Sequence, residues 1–173
     1  MRPLFAVTLT LMMVTSLLFS EPARANLSSI EQTKADLVVV YKSERVLHLK
    51  RAGRVLKSFS IALGREPKGH KRQEGDGRTP EGVYTLDWRN PSSQFHRALH
   101  ISYPGPDDAE QATRWGVSPG GQIMLHGLPN GVAADRVGHP NRDWTEGCIA
   151  LTNEEIEEIW ARVDDGTTII IYP

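Results

Sequence analysis

A chain of 173 residues with 20 Lys+Arg against 21 Asp+Glu carries a formal charge of −1. Such a balance excludes the strongly basic surface that nucleic acid or anionic lipid attracts, and the length suits one domain with its own core. A single cysteine, Cys148, excludes an internal disulfide framework.

At the N-terminus Arg2 precedes an uncharged run, Pro3 to Ser20, and then Glu21-Pro22-Ala23-Arg24-Ala25. A basic start, an apolar centre and an Ala-x-Ala site predict a secretory signal over residues 1–25, cleaved after Ala25. An uncleaved anchor is the alternative, because the run approaches the length that spans a bilayer. Removing residues 1–25 takes away Arg2, Arg24 and Glu21, which leaves 18 Lys+Arg against 20 Asp+Glu, a net charge of −2. The expected location is therefore periplasmic or in the cell envelope, with no nucleic-acid partner and no stable membrane anchor. Export changes the reading of the cysteine. A free Cys can be a small buried hydrophobe, but an odd thiol in an oxidising compartment is intermolecular or reactive.

Residues 26–36 read as a polar, loosely helical lead-in to a domain over 37–173. LVVVY, RVLHLK and RVLKSFSIALG, broken at Lys42-Ser43-Glu44 and Arg51-Ala52-Gly53, predict a meander of hairpins. Phe59, Ile61 and Leu63 alternate with Ser58, Ser60 and Ala62, so one face is buried. His48 lies in this meander as a strand histidine with no positional support for a ligand role. Residues 64–82, GREPKGHKRQEGDGRTPEG, hold five glycines, two prolines and nine charged side chains. A stretch this long without a period is a functional loop or disorder, and Pro80 and Gly82 deliver it into the strand GVYTLDW at a defined angle.

ALHISY is a further predicted strand, with His96 and His100 as structural or surface groups. DDAEQATRWG predicts a short helix with Asp107 as cap and Gly116 as stop. QIMLHG is a strand ending on His126, and Cys148 opens another through Leu151. Thr152-Asn153-Glu154-Glu155 has the pattern of a capping box. Ile156, Ile159, Trp160 and Val163 follow at helical spacing as a core face, and TTIIIYP closes the chain as a buried strand.

The chemistry concentrates in residues 120–151. A thiolate, not a thiol, is the nucleophile, and a free thiol of pKa about 8.5 needs a base. His126, at a strand end before Gly127, and Cys148, after Gly147, can meet at adjacent strand ends in the geometry of nucleophilic catalysis. The backbone N–H groups of Gly147 and Cys148 are natural oxyanion donors. No Asp or Asn has a claim to orient the imidazole, so the Gly127 carbonyl is the candidate.

PEG leading into a strand at 80–86, PGGQIMLHG at 119–127 and TEGCIAL at 145–151 resemble the YkuD-type L,D-transpeptidase catalytic domain family. The resemblance covers most of residues 37–173. It implies a mainly β fold, a β-sandwich or mixed sheets with one or two short helices and long active-site loops. It also implies Cys148 as nucleophile and His126 as acid and base on peptidoglycan stem peptides, with no metal and no organic cofactor. Glu146 stands where the family's second histidine precedes Gly-Cys, Ala150 where it has Arg or Asn, and the spacer from His126 to Thr145 is longer. These departures resemble the divergent YafK-like branch, some of whose members hydrolyse peptidoglycan.

The segment 127–144 reads as a lid, from which Arg136 or Arg142 could hold a substrate carboxylate in place of the residue lost at Ala150. Trp144 could pack on a stem peptide, and His139 assists or orders the lid. The partner expected is a peptidoglycan stem peptide, with an amine or a cell-wall-attached protein as acceptor. Hydrolysis by an L,D-carboxypeptidase or amidase is one alternative, and a non-catalytic cell-wall binding protein is another. A structural zinc site at His126, His139 and Cys148 fits no ligand spacing.

Overall fold

Runs of β-branched residues whose alternate members are buried set the strands. The computed structural model describes residues 33–173, so the predicted signal segment 1–25 lies outside the described residues, as do 26–32 of the lead-in. Residues 33–36 contain no helix. In chain order the elements are β1 (Leu37–Tyr41), β2 (Val46–Arg51), β3 (Arg54–Ser60), β4 (Gly82–Ser93), β5 (His96–Ile101), α1 (Pro106–Trp115), β6 (Met124–His126), α2 (Ala134–Val137), β7 (Ile149–Ala150), α3 (Asn153–Arg162) and β8 (Thr167–Tyr172).

The eight strands among the described residues join one mixed sheet in the order β3-β2-β1-β8-β4-β5-β6-β7. The pairs β1 with β8 and β6 with β7 are parallel, and the others are antiparallel. Val38 and Val40 lie beside Ile169 and Ile171 in register, and all four belong to the core, with Ile156, Ile159 and Val163 from α3 and the following residue.

The mainly β expectation holds, with one refinement. Past β3 the chain stays extended and returns to the opposite end of the strand order. There the Ala62 N–H donates to the Ala150 carbonyl at 3.0 Å and the Ala150 N–H to Ala62 at 2.8 Å. Thr145 and Arg65 continue this ladder, through Thr145 N–H to Leu63 O and Arg65 N–H to Thr145 O. The anticipated layers are thus one sheet closed on itself by residues 61–65, an arrangement that leaves fewer unpaired edges. Closure also explains why Ala62 is buried along with Phe59, Ile61 and Leu63, against the simple alternation.

Among the described residues three short helices stand where one or two were expected, because α2 forms within residues 127–144. In α3 the Thr152 hydroxyl accepts from Glu155 N–H and the Glu155 carboxylate accepts from Thr152 N–H, as the sequence predicted. The cap of α1 differs. Gly105, not Asp107, is the N-cap, and the Asp108 carboxylate reaches back to its N–H at 2.8 Å. Pro106 at the first helical position moves the start one residue upstream of the acidic pair.

Candidate active site

β6 and β7 run parallel with His126 opposite Ala150. Strand alternation puts Cys148, one residue before β7, on the face that carries Met124 and His126. Cys148, Met124 and His126 line one cleft of about 420 Å³, with Ala98, Gln122 and the end of the β4–β5 hairpin, Asn90 to Phe95.

The imidazole of His126 is buried between Phe95, whose ring centroid lies 4.6 Å away, and Trp144 at 5.7 Å. Its Nδ1 is 2.7 Å from the Gly127 carbonyl oxygen. A carbonyl only accepts, so this contact assigns the proton to Nδ1 and leaves the Nε2 lone pair uncommitted. Burial lowers the His126 pKa to about 4, against the opposing pull of the Gly127 bond and with a further push from nearby His139. Gly127 must be glycine: a Cβ there meets Asn153 Oδ1 at 2.7 Å and His96 Cβ at 3.0 Å.

The Cys148 thiol donates to the Gln122 carbonyl at 3.6 Å. Burial pushes its pKa up, while a hydrogen bond from the Met124 N–H and the charge of Lys71 pull it down. At neutral pH the site therefore rests as a thiol beside a neutral imidazole.

The turn before Cys148 is built by Thr145. Its hydroxyl donates to the Cys148 carbonyl at 2.7 Å and accepts from the Gly147 N–H at 3.1 Å. The Gly147 amide is thus engaged inside the protein, and an oxyanion at this turn is left with the Cys148 N–H. What Gly147 contributes is conformation. Its φ is +131°, and a Cβ would lie 2.6 Å from the Arg78 carbonyl oxygen.

Arg78 belongs to the loop 64–82, which is organised around Asp76. That carboxylate accepts from the backbone N–H of Arg72, Gln73 and Arg78 and from Lys71 Nζ at 2.9 Å. Lys71 is 3% exposed and lines a second cleft at Cys148, about 270 Å³, with Glu74, Gly121, Gln122 and Glu146. Glu146 itself is exposed and paired with Arg65. Lys42, 2% exposed, ties the loop to β1 through the Gly69 and Thr79 carbonyls and Glu81.

Of the lid residues, Trp144 reaches His126, and His139 is buried with Nδ1 unpartnered, as is Trp144 Nε1. Arg136 and Arg142 are exposed and line neither cleft at Cys148, so the structure does not bring them to the thiol. Ala150 is fully buried in the closing ladder, where a long side chain has no room. Among the described residues no three His, Cys, Asp or Glu side chains are grouped to hold a metal ion. Sequence reasoning missed Lys71, Asp76 and the hairpin residues 90–95. The charge density of residues 64–82 was the visible signal, but nothing in it says which lysine becomes buried.

A thiol and a buried neutral imidazole at neighbouring strand ends of a closed mixed sheet define a cysteine–histidine β domain. The family model for the YkuD L,D-transpeptidase catalytic domain matches residues 35–171, and the chain belongs to that family. It is 30% identical over 150 residues to a protein of Escherichia coli (strain K12) named "Putative L,D-transpeptidase YafK", covering 79% of this chain and 53% of that protein. The chain thus spans about half the length of the curated relatives it matches. Among solved structures it resembles the helical cell shape determining protein Pgp2 of Campylobacter jejuni, with TM-score 0.58 and 25% identity over 84% of this chain and 53% of that one. It also shares its fold with an L,D-transpeptidase of Xylanimonas cellulosilytica, with TM-score 0.52 and 15% identity over 81% of this chain and 61% of that one.

Proposed function

We propose that the protein is an exported, periplasmic or cell-envelope cysteine acyltransferase acting on peptidoglycan stem peptides. The observation that carries this reading is the shared cleft of Cys148 and His126, in which Nδ1 of the imidazole is held by Gly127 and Nε2 is left to take a proton. Family membership supports the substrate class. As Sγ attacks the carbonyl of the diaminopimelate–D-alanine bond, its proton passes to Nε2, and the Cys148 N–H stabilises the oxyanion. Collapse breaks the C–N bond, D-alanine leaves with the proton from His126, and a thioester remains. An amine then attacks the thioester, loses its proton to Nε2, and the thiol is restored as the cross-link or protein attachment forms. Water in place of the amine gives the carboxypeptidase outcome of the same site.

Both groups are neutral at rest, so the proton moves with the attack and no preformed ion pair is needed. The test is to incubate the purified protein with muropeptides, with and without an added amine, and follow products by mass spectrometry. Wild type should release D-alanine and form a thioester adduct, and Cys148→Ala should do neither. Identical product profiles for the two proteins would overturn the enzymatic reading in favour of a cell-wall binding protein.

A further inference from the structure

The pairing of β4 with β5 breaks register between Leu86, opposite Ile101, and Arg89, opposite Leu99. Asp87 and Trp88 therefore both face one residue, His100. A bulge of this kind re-aims side chains, and bulges concentrate beside active sites. Here it turns both residues onto one face. His100 Nδ1 lies 2.7 Å from Asp87 Oδ1, and the Trp88 ring stacks on the His100 ring with centroids 4.9 Å apart and planes 17° from parallel. His100 is covered as a result, whereas Trp88 remains 39% exposed.

That face is the cleft face. Ala98 lies opposite His126 and His100 opposite Met124, and Ala98, His126 and Met124 all line the Cys148 cleft. Alternation puts His100 on the same side as Ala98, one row or about 7 Å further along the sheet. β4 itself runs from Trp88 into Asn90, Ser92 and Ser93 of the cleft wall. A large indole is thus held flat against the protein on one side and open on the other, with an exposed carboxylate at its edge, in direct continuation of the cleft.

We infer that Trp88, backed by His100 and flanked by Asp87, is a stacking platform for a pyranose ring of the peptidoglycan glycan strand. The axial C–H face of a β-linked amino sugar packs on the open indole face, and the Asp87 carboxylate can accept from a sugar hydroxyl. This rests on the stem-peptide reading of the Cys148 cleft, since the glycan is what such a peptide hangs from. Covering the backing face and pinning His100 reduces the freedom lost when a ligand binds.

The test separates sugar binding from catalysis. In the first arm, the Cys148→Ala protein is titrated with the β-1,4-linked tetramer of N-acetylglucosamine, followed by tryptophan fluorescence and calorimetry. Binding is expected, with Trp88→Ala in that background weakening it about tenfold and Trp88→Phe retaining most of it. In the second arm, the active protein is compared on a disaccharide-tetrapeptide and on the free tetrapeptide. Trp88→Ala should raise KM for the first several-fold and leave the second unchanged. No binding of the tetramer, equal binding by Trp88→Ala and Trp88→Phe, or an equal KM change on both substrates would overturn the platform. Tetramer binding lost with Trp88→Ala in a protein that cleaves neither substrate would keep the platform and sink the catalytic reading instead.

Discussion

At Gly147 a single methyl group decides the geometry of the turn before Cys148. A Cβ there would sit 2.6 Å from the Arg78 carbonyl oxygen on a backbone with φ of +131°, so Gly147→Ala should shift the turn and lose most activity. Thr145→Val is a gentler probe. It leaves the buried Gly147 N–H without an acceptor, so a loss of about 1–3 kcal/mol in denaturant unfolding is expected, together with a fall in kcat. His126 sets the pH response. Its folded pKa of about 4 lies below the ordinary 6.5, so Nε2 stays available through mildly acidic pH, and kcat/KM should fall only as pH approaches 4. An acid limb near 6.5 would contradict the buried neutral imidazole. The same depression links to stability: the contribution is fully present above pH 6.5 and is lost as pH falls from there through about 4, by roughly 3 kcal/mol. Stability measured against pH should therefore slope less steeply in that window for His126→Gln than for wild type.

Two loops, held by different charged anchors, frame the thiol at the scale of elements. The loop 64–82 is folded around the Lys71–Asp76 pair, both members largely buried. Lys71→Met leaves Asp76 without its cation, at an expected cost of about 3 kcal/mol. The same change removes the positive charge that lowers the Cys148 thiol pKa, so alkylation of Cys148 by iodoacetamide at fixed pH should slow in the folded variant. Unchanged alkylation would show that Lys71 acts on the loop alone. The lid is anchored at its far end, where Asp143 accepts from Arg45 Nε and Nη2 and from the Leu63 N–H at 2.9 Å. Asp143→Ala should loosen residues 128–144, exposing them to proteolytic nicking, and release Trp144 from the His126 ring. Helix starts show how local chemistry competes: Thr152 and Glu155 capped α3 as their spacing predicted, while Pro106 overrode Asp107 at α1.

For the whole molecule, closure of the sheet is what joins the parts of the site. The hydrogen bonds between Ala62 and Ala150 tie the end of the β1–β3 meander to the strand that follows Cys148, and the Leu63–Thr145–Arg65 ladder extends that tie into the turn before Cys148. The Ala62 and Ala150 amides should therefore exchange as slowly as those of core strands β1 and β8. Fast exchange at Ala62 and Ala150 beside slow exchange at Ile169 would mean that the closing ladder opens by itself.

The sequence by itself placed most of the strands, the capping box of α3, and the two residues through which the chemistry is proposed. Asn90-Pro91-Ser92-Ser93, however, which reads as loop after Trp88, is strand because β5 pairs with it. β-branched alternation, Thr152 with Glu155, and the His126-Gly127 and Thr145-x-Gly147-Cys148 patterns are signals carried over a few neighbouring positions. Only the tertiary structure decided that Lys71 and Asp76 are buried beside the thiol, that Arg136 and Arg142 stand away from it, and that a bulge turns Trp88 onto the cleft face. Each of these depends on pairing between strands or loops far apart in the chain. The charges of residues 64–82 look alike until closure of the sheet buries one lysine and leaves its neighbours in water.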